Sequence, residues 1–139
     1  MGMGIPAGIA AALRFPDRQV FSIVGDGGAL MTGSELATAV AQKAKIRVII
    51  ANNNHYGTIR YHQEVHFPTR DHYATNLVNP DFAKYGESFG LKCFTIHNTE
   101  EILPTIKSAM EVDGPSLIEF KMSLELNTST TTISQLQTN

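Results

Sequence analysis

Apolar residues recur along this chain in two rhythms. Residues 20–24 (VFSIV) and 46–51 (IRVIIA) are short runs rich in Val and Ile, and between them residues 35–43 carry Leu36, Ala39 and Val40 at helical spacing. Runs of the first kind mark strands buried on both faces. The second marks an amphipathic helix, with Thr32 or Ser34 as candidate N-cap. Strand, helix and strand in that order predict a βαβ unit with parallel strands and a right-handed crossover.

The pattern extends to both ends. Residues 1–14 read as a small-residue helix in which Gly2, Gly4, Ala7 and Gly8 permit close packing. Glycine is poor for an isolated helix, so close approach to a neighbour has to compensate. A short helix is expected over 56–64, then a polar, irregular stretch over 67–79, a loop of the kind that orders around a ligand. Asp81 can cap a helix carrying Phe82, Ala83, Tyr85, Gly86 and Phe89, with Gly90 as its stop. A third strand follows over 91–97. Asn98 or Thr99 caps a helix over 100–112, and Gly114-Pro115 turns into a last strand over 116–120. The fold class is α/β: an open, mostly parallel sheet with helices on both faces, one domain over residues 1–122. Residues 123–139 are expected to be a polar, poorly ordered tail.

The βαβ reading creates a site. Neighbouring strands lie ~4.8 Å apart, and ligands of open α/β sheets bind beyond the strands' C-terminal ends. The first strand ends in Gly25-Asp26-Gly27-Gly28 and the second in Asn52-Asn53-Asn54. Asp26 and Asn53 would project together, able to share one small hard cation, while Gly25, Gly27 and Gly28 leave backbone amides bare to phosphate oxygens. A carboxylate, an amide oxygen and a loop carbonyl are three oxygen ligands. Magnesium takes about six and draws the others from phosphates and water. The expected ligand is a magnesium–diphosphate.

Gly25-Asp26-Gly27, then residues 28–51, then Asn52-Asn53 resembles the GDG…NN signature of thiamine-diphosphate enzymes. A bare GDG is common in turns; one that ends a strand, followed after twenty-four residues by NN at the end of the next, is specific. The flanks MGMGIPAGIAAAL and NHYGTIRYHQE are similar to those of the acetolactate synthase and pyruvate decarboxylase group, and the likeness covers about residues 1–122. It implies that thiamine diphosphate and Mg2+ are the cofactors. The amides of Gly27 and Gly28 would meet the diphosphate, with Gly25 among the cofactor-binding residues, and Asp26, Asn53 and the main-chain carbonyl of His55 would be the metal ligands. Tyr56 and Gly57 would stand beside the cofactor, Gly57 setting the register among the three asparagines. Met1 falls where the family has a bulky residue under the cofactor; it is also simply where the chain opens, and both readings stand.

The resemblance also has gaps. The glutamate that activates the aminopyrimidine lies, in the family, on a separate domain contributed across a dimer interface, and no segment here resembles that domain. The expected partner is therefore a pyrimidine-binding domain or subunit, in a homo- or hetero-oligomer. Simple pyruvate decarboxylases carry a glutamate where this chain has Ile59, and acetolactate synthases a tryptophan where it has His62. The catalytic residues are thus unknown, with His62 and Gln63 as candidate substrate-facing groups. A zinc site at His62, Glu64 and His66 is disfavoured, because the metalloprotease motif needs glutamate directly after its first histidine.

Composition narrows the classes. Of 139 residues, 42% are hydrophobic, enough for a core, and 17% are charged, below the ~25% of an average globular protein. That deficit fits a domain with part of its surface in an interface. A net charge of −2 without a basic block argues against nucleic acid, and there is neither an apolar run long enough for a membrane span nor a signal-peptide pattern. Cys93 is the one cysteine; it reads as a buried thiol in a reducing cytoplasm. The sequon at Asn127 is discounted because no secretory signal accompanies it.

Three functions fit. One is the diphosphate-binding C-terminal domain, or a split subunit, of an acetolactate-synthase-like carboligase or decarboxylase. The next is a non-catalytic, truncated module that binds thiamine diphosphate. The last is an unrelated nucleotide-binding α/β module, which would not depend on Asn53.

Overall fold

Strands β1 (Val20–Gly25), β2 (Ile46–Asn52), β3 (Lys92–Ile96) and β4 (Ser116–Lys121) form one sheet in the order β1-β2-β4-β3. Every pairing is parallel, as βαβ connections require. The computed structural model describes residues 1–67, 70–125 and 131–137.

Alternation along the central strands divides the core in two. Ile46, Val48, Ile50 and Leu117 face one side, against Ile5, Ile9, Leu36, Ala39 and Phe82 of the helices there. Ile118, Ile49, Phe94 and Phe120 face the other, against Ala109, Ile102 and Ile106. The first face is covered by α1 (Gly4–Arg14), α2 (Asp26–Thr32), α3 (Leu36–Ala41) and α5 (Phe82–Ser88), the second by α6 (Ile102–Met110). Helices on both faces of a parallel sheet are the α/β architecture expected.

The small residues of α1 have a direct use. A Cβ at Gly8 would lie 2.6 Å from Ile46 Cδ1 and 2.9 Å from Ser22 Cβ, so the helix can seat against the sheet only without it. Ser22 Oγ also donates to the Gly4 carbonyl at 2.8 Å, fixing the helix along β1.

Four local expectations change. β1 is an edge strand: Phe21 and Ile23 are 41% and 73% exposed, because α6 lies over β3 and β4. An apolar run shows that a strand can be buried on both faces but not that both are covered. The crossover after β1 is not one helix over 35–43. It begins at Asp26 as α2, passes through a 3-10 turn at Gly33–Glu35 and continues as α3. Neither Thr32 nor Ser34 caps it; Thr32 Oγ1 donates instead to the Gly2 carbonyl at 2.7 Å. Finally, the chain after β4 is not irregular throughout: α7 (Ile133–Gln137) packs on α4 (Gly57–His66), and Ile133 is buried. The sequon at Asn127 lies outside the described residues, as do Pro68 and Thr69 of the 67–79 stretch.

The other punctuation agrees with expectation. Asp81 caps α5 by accepting from Lys84 N at 3.1 Å, and Asn98 accepts from Glu101 N at 3.2 Å ahead of α6. Gly90 and Gly114 have φ of +92° and +109°, a region that other residues enter at a cost. Arg47 is buried at the far end of β2, donating to the carbonyls of Gly114, Met110 and Val112; burial lowers its pKa.

Candidate functional site

The C-terminal ends of β1 and β2 lie side by side, with Gly25 opposite Ala51. The chain leaves β1 straight into α2, so Asp26 is the first residue of that helix and is only 2% exposed. Its Oδ1 accepts from the Gly27 amide at 2.8 Å, and its Oδ2 accepts from Asn79 Nδ2 at 2.7 Å. Among the described residues no Lys, Arg or His pairs with it. A buried carboxylate without a cation is costly, and among the described residues Asp26 is such a group.

Three asparagines run from the last residue of β2 into the loop beyond it, and each has a different task. Asn52 is buried. Its Nδ2 donates to Glu119 Oε1 at 2.6 Å, and its Oδ1 accepts from the Asn54 amide at 3.1 Å, holding the turn. Asn53 Oδ1 accepts from the His55 amide at 3.2 Å, leaving one lone pair of that oxygen for another partner. Asn54 adopts φ +56°, the left-handed region that asparagine tolerates best among residues with a side chain. Main-chain bonds from Tyr56 N to Thr75 O and from Leu77 N to Asn54 O, both 2.8 Å, then dock the 75–77 segment alongside.

His55 is fixed on both ring nitrogens. Nδ1 lies 3.0 Å from the Asn53 carbonyl and Nε2 2.5 Å from Arg60 Nη1. A carbonyl only accepts, so Nδ1 carries the proton and Nε2 accepts from the guanidinium. Arg60 Nε in turn lies 3.4 Å from Oε1 of the buried Glu64, and His72 Nδ1 lies 3.9 Å from the same oxygen. The chain holds the loop that carries the His55 carbonyl.

A cavity of about 220 Å³ opens at this end of the sheet, lined by Met1, Gly25, Asp26, Gly27, His55, Tyr56 and Gly57, with Thr58 and Ile59 on α4. A Cβ at Gly27 would lie 2.4 Å from Tyr56 Cε1, so that glycine is what lets the Tyr56 ring seat against α2. At Gly25 and Gly28 a Cβ would meet nothing within 4 Å; there the backbone faces open space.

His62 and Gln63 are not brought to this cavity. His62 is on the exposed side of α4, stacked on His66 with ring centroids 5.8 Å apart. Gln63 makes two bonds to Tyr73, donating to its carbonyl at 3.0 Å and accepting from its amide at 2.8 Å. Among the described residues no group of three or more His, Cys, Asp or Glu can hold a metal. A metal here would therefore rest on one carboxylate with amide and carbonyl oxygens, a hard-oxygen set that suits magnesium.

Sequence reasoning missed two residues that complete the site, Asn79 and Glu119. Glu119 was visible as a lone acid inside the apolar strand SLIEF, where burial demands a partner. Asn79 had no comparable signal; it lay at the end of a stretch read as an irregular loop.

Comparison with known proteins shows the family. Residues 1–120 match the family model described as thiamine pyrophosphate enzyme, C-terminal TPP binding domain. The putative thiamine pyrophosphate-containing protein YdaP of Bacillus subtilis (strain 168) is 38% identical over 125 residues, covering 90% of this chain and 21% of that protein. The acetolactate synthase large subunit of Porphyra purpurea is 33% identical over 124 residues, covering 88% of this chain and 21% of that subunit. Among solved structures, the thiamine diphosphate-dependent 4-hydroxybenzoylformate decarboxylase of Rhodococcus jostii RHA1 matches with a TM-score of 0.82 and 32% identity, covering 88% of this chain and 23% of that one. The chain thus spans about a fifth of the length of the relatives it matches. It belongs to the thiamine pyrophosphate enzymes, as their C-terminal TPP-binding domain.

Proposed function

We propose that this domain binds the magnesium–diphosphate end of thiamine diphosphate within an acetolactate-synthase-like 2-keto acid carboligase or decarboxylase, as its C-terminal domain or as a split subunit. The observation that carries the reading is Asp26, a buried carboxylate with no cationic side chain paired to it among the described residues, at the mouth of a cavity bounded by bare glycine backbone. A divalent cation supplies the missing charge, and a diphosphate brings the oxygens that complete its shell.

In this reading Asp26, the free lone pair of Asn53 Oδ1 and the His55 carbonyl hold Mg2+. The first-turn amides of α2 beyond Gly27, whose own N–H is held by Asp26, have no intrahelical acceptors; with the open backbone at Gly25 and Gly28 they receive the diphosphate. Tyr56 and Gly57 wall the cavity, and Met1 lies at its rim. His62 and Gln63 stand outside it. Bound thiamine diphosphate supplies carbanion stabilisation at a 2-keto acid carbonyl; this chain's share is to anchor and orient. The cavity is smaller than the ~300–1,000 Å³ of a whole ligand site, in keeping with a half-site closed by a pyrimidine-binding partner domain or subunit that brings the activating glutamate. We place the assembly, a dimer or larger, in the cytoplasm. Among the described residues no helix is long and apolar enough to cross a membrane.

Calorimetric titration of the chain with thiamine diphosphate, with and without Mg2+, tests this. Magnesium-dependent binding that Asp26→Ala abolishes is expected; unchanged affinity in that variant refutes the reading. Adding a partner domain that carries the glutamate should restore 2-keto acid decarboxylation. Cofactor binding without that recovery identifies a non-catalytic module instead.

A further inference from the structure

The 75–79 segment ends in an amide whose polarity is reversed for the place it occupies. Asn79 Nδ2 lies 2.7 Å from Asp26 Oδ2, 2.9 Å from Asn52 Oδ1 and 3.1 Å from Asn54 Oδ1. An NH2 group has two hydrogens, so three oxygens, one of them a carboxylate, converge on a donor that can satisfy two. The same amide's Oδ1 is buried and has no hydrogen-bond partner among the described residues. One end is oversubscribed and the other is orphaned.

Three oxygens close on one weakly positive amide nitrogen, and one of them, Asp26 Oδ2, belongs to the proposed magnesium set. Turning the Asn79 amide over would bring Oδ1 towards the three oxygens. That arrangement is repulsive with nothing between them and favourable around a divalent ion. The orientation of an amide is set by the charges around it, so the arrival of a cation reverses the preference. We infer that Asn79 is a cation-responsive latch. Its Nδ2 holds Asp26, Asn52 and Asn54; a cation held by Asp26 with Asn53 and the His55 carbonyl would turn it, so that Oδ1 is offered to the hydrated cation as a further oxygen of the site. This rests on the reading of Asp26 as the metal carboxylate. It adds a group from outside the GDG and NN segments and ties the ion to the stretch that runs alongside residues 54–56.

Two substitutions separate this role from simple scaffolding. Asn79→Asp keeps the shape and the oxygen but loses the donor; Asn79→Leu keeps the bulk and loses both. With the full chain, binding of Mn2+ alone is followed by the loss of its free-ion spin-resonance signal. Mg2+-dependent binding of thiamine diphosphate is followed by calorimetry, and thermal melts check folding. The latch predicts that Asn79→Leu weakens cation binding by about tenfold or more, the range for groups that support metal ligands. It also predicts that Asn79→Asp binds the cation at least as tightly as the parent. In the parent, adding Mg2+ with thiamine diphosphate should change hydrogen exchange at the Leu77 amide, and thiamine diphosphate without metal should not.

If Asn79 acts only as a donor that holds the loop, Asn79→Asp will bind the cation as poorly as Asn79→Leu, and the inference falls. It falls too if Asn79→Leu binds as the parent does while Asp26→Ala has lost binding; the magnesium–diphosphate reading then stands without it. If Asp26→Ala binds normally, or the parent chain takes up no cation with or without thiamine diphosphate, both fall. Should Asn79→Leu not fold, the comparison of Asn79→Asp with the parent decides.

Discussion

Asn52 Nδ2 donates to Glu119 Oε1 at 2.6 Å, a bond between the ends of adjacent parallel strands with both residues buried. Glu119 Oε1 also accepts from Lys121 Nζ at 2.6 Å. Since Asn52 Oδ1 holds the Asn54 amide, the loop carrying Asn53 and His55 is anchored in β4, the neighbouring strand. Glu119→Ala leaves Asn52 Nδ2 buried without its acceptor, at a cost of about 1–3 kcal/mol. The urea midpoint should fall accordingly, and magnesium-dependent cofactor affinity should fall with it. Glu119→Gln, which keeps an acceptor oxygen, should lose less of both.

Gly27 and Gly28 are adjacent in sequence and opposite in surroundings. Gly27→Ala drives a methyl into the Tyr56 ring, and overpacking of this kind costs about 1–3 kcal/mol. Gly28→Ala meets no atom within 4 Å and lies within α2, where alanine is favoured over glycine by about 0.5–1 kcal/mol. Thermal melts should therefore separate the two in opposite directions. Titration with Mg2+ and thiamine diphosphate should find both weakened, because at Gly28 the methyl takes the space proposed for the diphosphate. A Gly28→Ala chain that is stabler and binds normally would remove Gly28 from the site.

Gln63 pins the 70–73 stretch to α4 through both bonds to Tyr73. Gln63→Leu should speed hydrogen exchange at the Tyr73 amide while changing global stability by less than about 1 kcal/mol, since the bonds are exposed. Unaltered exchange would mean that the stretch is held elsewhere.

Cys93 is half-buried beside Gly86, and burial, with Glu87 and Asp81 nearby, pushes its thiol up to about 12. The folded protein then keeps the proton at a pH where the unfolded chain, near the ordinary ~8.5, has lost it. The contribution to stability is whole below the unfolded value and declines as pH rises from there towards the folded one. Iodoacetamide at pH 8 should label the native chain slowly and the unfolded chain quickly. The urea midpoint should fall more between pH 8 and pH 10 in the parent than in Cys93→Ala.

Local signals in the chain were enough for the parallel βαβ unit, the capping of α5 by Asp81, the stop at Gly90 and the cluster of Asp26 with the asparagine run. Each is written in residues close together: apolar runs, a side chain three residues from the amide it accepts, a glycine where φ must be positive. The start of α2 at Asp26 was less legible, because GDGG reads as a loop by propensity and becomes helical only when Ala29 packs into the core and Gly27 admits Tyr56.

What the sequence determined by itself is which residues end the two strands and hence which chemistry they offer: one carboxylate, amide oxygens and bare backbone. Tertiary structure decided who else joins them. Glu119 reaches Asn52 from sixty-seven residues away and Asn79 reaches Asp26 from fifty-three, distances over which no periodicity or spacing rule acts. Tertiary structure also left β1 at a sheet edge and His62 outside the cavity lining, because which face of a strand or helix is covered depends on what packs against it. Local propensity sets the elements; the pairing of buried polar groups across them is set only once the chain has closed and each must find a partner within hydrogen-bond reach.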